Sequence, residues 1–267
     1  MKLMDLTRTL DPADRERLAG HTARPDLHAP RVRYLSPKGE GLDEFCRCLH
    51  CTPEDLPDGE GWGEEIIEDM SSHCGTHVDA PLHSGSTCEG ARARTIDQIG
   101  LDELFCPGLV LDVRGAVGRG EPISIAALDA AIERTGAAIV PGTAVLIRTG
   151  QEDCHAGSPD YFNYPGMTRQ GTLHLTALGA RVLGTDAIGW DRPFAVMTRQ
   201  YRLDGTPLWD GHKAIREREA FIVQKLCNLG ALPLSGFHVG CFPLKLARAS
   251  ASPARVVAFI AAGGVAA

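Results

Sequence analysis

The chain has 267 residues, 43% of them hydrophobic, and a formal net charge of −7 with an isoelectric point near 5.8. This length can bury a full core, and because no shift in composition marks a linker, we expect a single domain over residues 1–267. The acidic net charge argues against a nucleic-acid partner, so we expect a small-molecule partner. No apolar run forms a signal peptide or approaches the roughly 18 residues of a membrane span. We therefore expect a cytoplasmic protein.

The first part of the chain contains few clear elements. Residues 1–63 are rich in Pro, Gly and charged residues, which predicts loops and turns with one or two strands, such as residues 32–35. Trp62, between two glycines, can either line a substrate pocket as a flat apolar wall or pack on the core. From Glu64 the chain has the pattern of a strand that leads into a histidine-rich stretch.

Strands and helices alternate through the middle of the chain, which indicates βαβ units and a partly parallel sheet. Ser124 is a good N-cap for a helix that continues through Arg134, and Gly136 is placed to end it. We expect the Gly/Ala tail at residues 261–267 to be frayed. The other predicted elements are an amphipathic connection at 95–105, strands at 109–113 and 144–148, a short helix at 172–179, a strand at 181–188, a helix at 217–228, and strands at 236–242 and 255–261.

One stretch, SSHCGTHVDAPLHSG, concentrates His73, His77, Asp79 and His83 within eleven residues. Its glycine, β-branched residues and proline disfavour a helix, so we predict a strand that leads into a turn. On a strand His77 and Asp79 point to the same face, and the intervening glycine allows a bend that brings His73 to it. A single such histidine is usually structural, but this density favours a catalytic metal bound by His73, His77 and Asp79. His83 would flank the metal and carry protons.

The motif HCGTHVDAPLH at residues 73–83 resembles the HxGTHxDxPxH signature of the cyclase family of metal-dependent hydrolases, which includes bacterial kynurenine formamidases and isatin hydrolases. The resemblance covers most of the chain beyond about residue 64. It implies a swivelling β/β/α fold, in which a mixed α/β sheet curls into a barrel-like core with outer helices, and usually a homo-oligomer, either a dimer or a tetramer. Further matching segments are GTDAIGWDRPF at 184–194, Gly211 with His212, KLCNLGALP at 225–233, and residues 242–259.

The resemblance also bears on the number of metal ions. The family's dinuclear members complete a second site with a His and, twelve residues later, a Glu, with the Asp as a bridge. His212 aligns with that His, but the residue twelve positions later is Gln224. Because a neutral amide is a poor ligand beside a carboxylate, we predict one divalent ion, Mn²⁺ or Zn²⁺, as in the isatin hydrolases. His212 would then bind water or substrate as a catalytic group, and Gln224 would line the pocket.

We therefore expect a hydrolase in which metal-activated water opens a C–N bond in an isatin-like cyclic amide or in N-formylkynurenine. His83 would act as general base toward the water and as general acid toward the departing nitrogen. Two alternatives remain open. One is a metal-dependent cyclase or dehydratase of a biosynthetic pathway, and the other is a metal-dependent binding protein without turnover. The presence of His83 counts against the second, since a pure metal site would not need it.

Nine cysteines, an odd number in a chain that needs no covalent staples, indicate reduced thiols. Cys46, Cys48 and Cys51 surround His50 and could form a second metal site, but no matching pair follows at zinc-finger spacing, so a loop cluster is favoured. We expect Cys74 to be a small buried thiol. Asp186 and Asp191 flank a glycine-rich turn where function is possible and a structural role is common. We predict structural or surface roles for the remaining candidates, His155, His174 and His238.

Overall fold

A computed structural model describes residues 1–261, so the predicted fraying of the Gly/Ala tail falls almost entirely outside the described residues. The chain forms two units. The smaller comprises Leu10–Ser71, and the larger comprises Met1–Thr9 together with the chain from Ser72 onward. The expectation of a single domain stays a prediction. None of the helices within residues 1–261 has the length and apolar character needed to cross a membrane.

The strands of the described chain are β1 (Lys2–Asp5), β2 (Arg31–Leu35), β3 (Glu64–Asp69), β4 (His77–Asp79), β5 (Thr87–Cys88), β6 (Ala91–Arg92), β7 (Phe105–Asp112), β8 (Thr143–Arg148), β9 (Ala180–Thr185), β10 (Phe221–Gln224), β11 (Phe237–Pro243) and β12 (Ala251–Ile260). The α-helices are α1 (Asp14–Arg17), α2 (Glu40–Leu49), α3 (Pro81–Ser84), α4 (Ile125–Thr135), α5 (Arg169–Leu178), α6 (Phe194–Asp204) and α7 (Asp210–Lys213).

The larger unit is built on a sheet that closes into a barrel. Seven strands follow one another in the order β12, β11, β7, β8, β9, β10 and β4, and pairing of β4 with β12 completes the ring, while β1 adds to the outer edge of β12. Strands β7 to β10 are mutually parallel and the remaining pairs are antiparallel. The expected mixed sheet curled into a barrel-like core is therefore confirmed.

Two apolar clusters lie on the two faces of this sheet. Along β7, Val110 belongs to one cluster and its neighbours Leu109 and Leu111 to the other, because successive side chains of a strand point to opposite faces. The first cluster draws on all seven barrel strands and fills the interior. The second includes Leu128 of α4 and Leu175 of α5, so these helices cover the outside. Strands buried on both faces have continuous apolar sequences, which is why β7 and β8 were predictable.

The helix predicted at 217–228 is wrong, because the chain instead forms β10 between β9 and β4. All four residues of β10 are buried, and a short apolar run of this kind has no periodicity that separates a strand from a helix. The helix after Ser124 is confirmed: the Ser124 hydroxyl accepts a hydrogen bond from Ala127 N, and Gly136 ends the helix at a φ of 64°. The helix predicted at 172–179 is α5, which begins three residues earlier.

In the smaller unit β2 and β3 pair antiparallel, which confirms both the strand expected near residue 32 and the one beginning at Glu64. Helix α2 was not predicted, since its ten residues lie in a segment whose composition indicated loops. The Trp62 ring meets the ring of Phe45 edge-on, with centroids 4.8 Å apart, so it packs within this unit. The role of Trp62 in a substrate pocket stays a prediction.

Candidate metal centre

The histidine-rich stretch forms a turn, then β4, which contains His77 and Asp79 as predicted, and then the short helix α3 where the sequence predicted a turn. Gly75 has a φ of 60°, a conformation that costs other residues free energy, and it reverses the chain between His73 and His77. Thr76 donates its hydroxyl hydrogen to the Lys225 carbonyl oxygen at 2.7 Å, which ties the turn to the residue after β10. The turn is therefore anchored to the barrel on the side where β10 ends.

Three of the predicted residues meet at one carboxylate oxygen. Asp79 Oδ1 lies 2.9 Å from His73 Nδ1 and 3.3 Å from His77 Nε2. His83, on α3, also belongs to this group, since its ligand atom and those of His73 and Asp79 all lie within 4.8 Å of one another. The His83 ring stands 4.1 Å from the His73 ring, centroid to centroid. The structure thus brings together all four residues that the sequence singled out.

The chemistry of these atoms fits a cation. His77 Nδ1 lies 2.8 Å from the Gly75 carbonyl oxygen, which can only accept, so Nδ1 carries a proton. Burial lowers the pKa of His77, so the ring is neutral and Nε2 presents a lone pair toward Asp79 Oδ1. That oxygen is buried and has no hydrogen-bond partner among the described residues. Two ligand atoms whose lone pairs face each other at this distance suit a shared divalent ion, because atoms that bind the same zinc ion lie roughly 3.3 Å apart.

The carboxylate itself is held in its charged form. Burial alone would raise the pKa of Asp79, but the imidazole rings around it, His212 among them, hold it well below its usual range. Its second oxygen, Oδ2, accepts a hydrogen bond of 2.7 Å from the Gln224 amide. Gln224, the residue that departs from the dinuclear pattern, therefore contacts the Asp79 carboxylate directly and orients it.

His212 approaches the same carboxylate from α7. Its Nε2 lies 3.7 Å from Asp79 Oδ2 and 3.2 Å from the Gln224 amide nitrogen. Its Nδ1 hydrogen-bonds Asp191, which also accepts the backbone N–H groups of Gly211 at 2.6 Å and His212 at 3.1 Å. Although burial alone would lower it, the Asp191 carboxylate raises the pKa of His212 to about 9. Asp191 is therefore the residue that orients His212.

Sequence reasoning missed Trp209, which lies three residues before His212. Its ring stacks on the His212 ring at 4.5 Å and meets the His83 ring edge-on at 5.0 Å. Lys213 Nζ lies over the Trp209 ring and donates to the Ser84 carbonyl oxygen at 2.9 Å, which links α7 to α3. Trp209 adopts a φ of 59°, which is strained for an aromatic residue and common at functional sites. The sequence WDGH, an aromatic beside an assigned histidine, was the available signal.

The other polar candidates lie in structural roles. Asp186 accepts hydrogen bonds from the backbone of Thr149, Gly150 and Glu152, so it anchors the loop after β8. His174 lies 2.7 Å from Asp129, His238 stacks on Phe105, and His155 is exposed in a loop. Cys74 is buried, as expected.

Residues 1–261 contain one group of three or more candidate metal ligands, formed by His73, Asp79 and His83. The cysteine cluster around His50 does not form such a group among these residues, and the preference for a loop cluster over a second metal site stays a prediction.

Comparison with known proteins agrees with this architecture. A family model described as "Putative cyclase" matches residues 4–192. A kynurenine formamidase of Sphingopyxis alaskensis is 29% identical over 187 residues, which cover 69% of this chain and 75% of that protein. An isatin hydrolase of Roseibium aggregatum is 27% identical over 210 residues, covering 72% of this chain and 73% of that protein.

Among solved structures, isatin hydrolase A from Labrenzia aggregata bound to benzyl benzoate superposes with a TM-score of 0.71 at 24% identity, covering 97% of this chain and 93% of that chain. The closed barrel is therefore the fold of the isatin hydrolases, and the histidine and aspartate cluster it carries is a candidate metal site. The chain belongs to the cyclase family, as the motif at residues 73–83 indicated.

Proposed function

We propose that the protein is a metal-dependent hydrolase that opens a C–N bond in a small amide, an isatin-like cyclic amide ahead of N-formylkynurenine. The observation that carries the proposal is the meeting of His73, His77 and Asp79 around a buried carboxylate oxygen without a hydrogen-bond partner, with His83 beside it. The relatives named kynurenine formamidase and isatin hydrolase support the choice of amide substrates.

In this proposal one Mn²⁺ or Zn²⁺ ion is held by His73, His77 and Asp79. Either ion suits a set of two histidines and one carboxylate that leaves coordination positions open. When bound, the ion supplies a water of lowered pKa and polarises the amide carbonyl. The hydrogen bond from His77 Nδ1 to the Gly75 carbonyl fixes the tautomer that leaves Nε2 free for the metal. The Gln224 amide holds Asp79 Oδ2, which turns Oδ1 toward the two histidines.

His83 is the proton carrier of the proposal. Burial, together with the neighbouring histidines, lowers the pKa of His83 to about 4, so its ring is neutral near pH 7 and can accept a proton. It takes the proton of the attacking water and returns it to the departing nitrogen, which would otherwise leave as an unstable anion. His212, oriented by Asp191, binds water or the substrate carbonyl, and Trp209 fixes the plane of the His212 ring.

We also propose a homo-oligomer, a dimer or a tetramer, on the basis of the family resemblance. Light scattering coupled to size exclusion measures the mass directly.

The test is a substrate panel with the metal-loaded protein: isatin, N-formylkynurenine and simple lactones, each followed by ultraviolet absorbance. We expect turnover of one of the amides, its loss when the metal is removed, and its return with Mn²⁺ or Zn²⁺. Full activity in excess chelator, with metal shown absent by elemental analysis, would contradict the proposal. Metal binding without turnover of any amide would favour the cyclase, dehydratase or binding-protein alternatives.

A further inference from the structure

The C-terminal end of α2 brings two cysteines together. His50 ends the helix in the left-handed conformation with a φ of 51°, and the Cys51 N–H donates to the Cys46 carbonyl oxygen at 3.1 Å. This hydrogen bond, from the second residue after the helix back to the fourth residue from its end, is one of the two that characterise a Schellman cap. In such a cap the side chains of those two residues commonly contact each other. Here the two residues are Cys46 and Cys51.

Both thiols are reduced and half-buried, so a small reagent can reach them. Cys48 lies on the same helix and is exposed. Residues two apart on a helix point to different faces, so Cys48 does not face Cys46. The chain thus contains a close cysteine pair and, beside it, a third cysteine that serves as an internal reference.

We propose that Cys46 and Cys51 form a reversible disulfide that closes the C-terminal cap of α2. The backbone hydrogen bond keeps the two Cα atoms close, as a disulfide requires. The oxidant is a small-molecule disulfide such as oxidised glutathione. One thiolate attacks it and releases one glutathione thiol, and the second cysteine then attacks the mixed disulfide and releases another. The protein pair loses two protons and two electrons, and both electrons reside in the two glutathione molecules formed.

The surroundings of the pair disfavour the thiolate form of Cys46. Burial, the neighbouring Cys51 thiol and the carboxylates of Asp43 and Asp55 raise the pKa of Cys46. Because the thiolate is the nucleophile, we expect the exchange to become faster as the pH rises.

The full-length protein is equilibrated in glutathione redox buffers, the free thiols are alkylated, and the tryptic digest is analysed by mass spectrometry. Arg47 separates the two cysteines, so the disulfide joins the peptides 39–47 and 48–92. Because 48–92 contains further cysteines, the variants Cys51→Ser and Cys48→Ser assign the bond. We expect the joined peptides in the unmodified protein and in Cys48→Ser, and none in Cys51→Ser. Half of the protein should contain the disulfide when the ratio [GSH]²/[GSSG] is roughly millimolar or above. The reason is that the short chain between the two thiols gives them an effective concentration in that range.

In Cys46→Ser the partner thiol is absent, so glutathione should accumulate on Cys51. Equal thermal midpoints of the reduced variants and the reduced parent show that folding is unchanged. Joined peptides that persist in Cys51→Ser, or only mixed disulfides in the unmodified protein, would overturn the proposal. Joined peptides that disappear in Cys48→Ser would assign the bond to Cys48 and overturn it equally.

Discussion

The two histidines that flank Asp79 differ in what holds their rings. His77 is fully buried and bonded through Nδ1 to a carbonyl, the usual arrangement of a metal-binding histidine. The His83 ring instead lies among the rings of His73, Trp209 and His212. In the proposed function His77 is therefore a ligand and His83 the proton carrier.

We expect His77→Ala to lose the metal, and His83→Ala to keep it while turnover falls by roughly 10² to 10⁴, the range for a missing general acid or base. Elemental analysis after dialysis and the turnover number measure the two effects. If His83→Ala released the ion as readily as His77→Ala, His83 would be a ligand and its assignment as the proton carrier would be wrong.

Gln224 and Lys225 determine the charge available to a second ion. Gln224 is neutral, and the next residue, Lys225, is a buried cation whose Nζ donates to the His73 carbonyl oxygen at 3.1 Å. Repulsion between two divalent ions requires anionic ligands to offset it. We therefore predict one metal ion per chain, and a stoichiometry that rises toward two in Gln224→Glu with excess metal.

The control for this prediction is Gln224→Leu, which removes the amide without adding charge and should stay at one ion. Elemental analysis after dialysis, with the anomalous signal from crystals, counts the ions. Two fully occupied ions in the unmodified protein would show that another carboxylate takes the place of the missing Glu.

The histidines also predict how the stability of the metal-free protein depends on pH. The folded-state pKa of His212 is raised to about 9, so its contribution is complete below pH 6.5 and is lost as the pH rises toward 9. The folded-state pKa of His83 is lowered to about 4, so between pH 6.5 and 4 the unfolded chain binds more protons and stability falls with acid. We expect the free energy of unfolding to be largest near pH 6.5.

Urea unfolding across pH 4–9 measures this profile. A separate variant tests each limb of the profile, the alkaline one and the acidic one. His212→Gln should flatten the alkaline limb, and His83→Gln should reduce the slope of the acidic limb, to which the lowered pKa of His77 also contributes. An alkaline limb of unchanged slope in His212→Gln would mean that other groups produce it.

Among the elements, α4 shows how local sequence defines a helix independently of the site. Ser124 accepts the Ala127 N–H at 3.1 Å and Gly136 provides the left-handed end, while Leu128 and Ala131 pack on the outer face of the barrel. The helix is therefore specified by its caps as well as by its apolar face.

We expect Ser124→Ala to lower the free energy of unfolding by about 1 kcal/mol, the usual cost of a lost N-cap, and to leave metal content and turnover unchanged. Chemical denaturation of the metal-free protein provides the value. Ser124→Asp keeps an acceptor and should remain close to the parent. A loss in Ser124→Asp as large as in Ser124→Ala would mean that the hydroxyl acts otherwise than as a cap.

For the whole molecule, the important feature is that the stretch with the proposed metal ligands also closes the barrel. Strand β4 pairs with β10 on one side and with β12 on the other, and it contains His77 and Asp79. An ion bound there stabilises the strand that completes the ring. Binding to the folded state alone raises stability by about 2.7 kcal/mol when free metal is 100 times its dissociation constant.

Chelation should therefore lower the thermal midpoint by roughly 5 to 10 °C, given about 2 to 4 °C for each kcal/mol in a chain near this size. Differential scanning fluorimetry with and without added Mn²⁺ or Zn²⁺ measures the shift. His77→Ala should show no metal-dependent shift. Equal thermal midpoints for the metal-loaded and metal-free parent protein would indicate that the ion does not stabilise the pairing of β4 with β10 and β12.

The sequence by itself determined the features that depend on residues close together in the chain. His73, His77, Asp79 and His83 lie within eleven residues, so a turn and a three-residue strand are enough to bring them together, and their residue types alone indicate a metal. Caps defined α4 and continuous apolar runs defined β7 and β8, because both signals are local.

Only the tertiary structure decided the contacts that join distant parts of the chain. Asp191 holds His212 across 21 positions, and Gln224 holds Asp79 across 145, and neither pairing has a local signature. The segment predicted as a helix became β10 because the barrel had a place for a strand between β9 and β4, and burial on both faces outweighs intrinsic propensity. Closure of the ring brings these residues together, and closure is a property of the whole sheet.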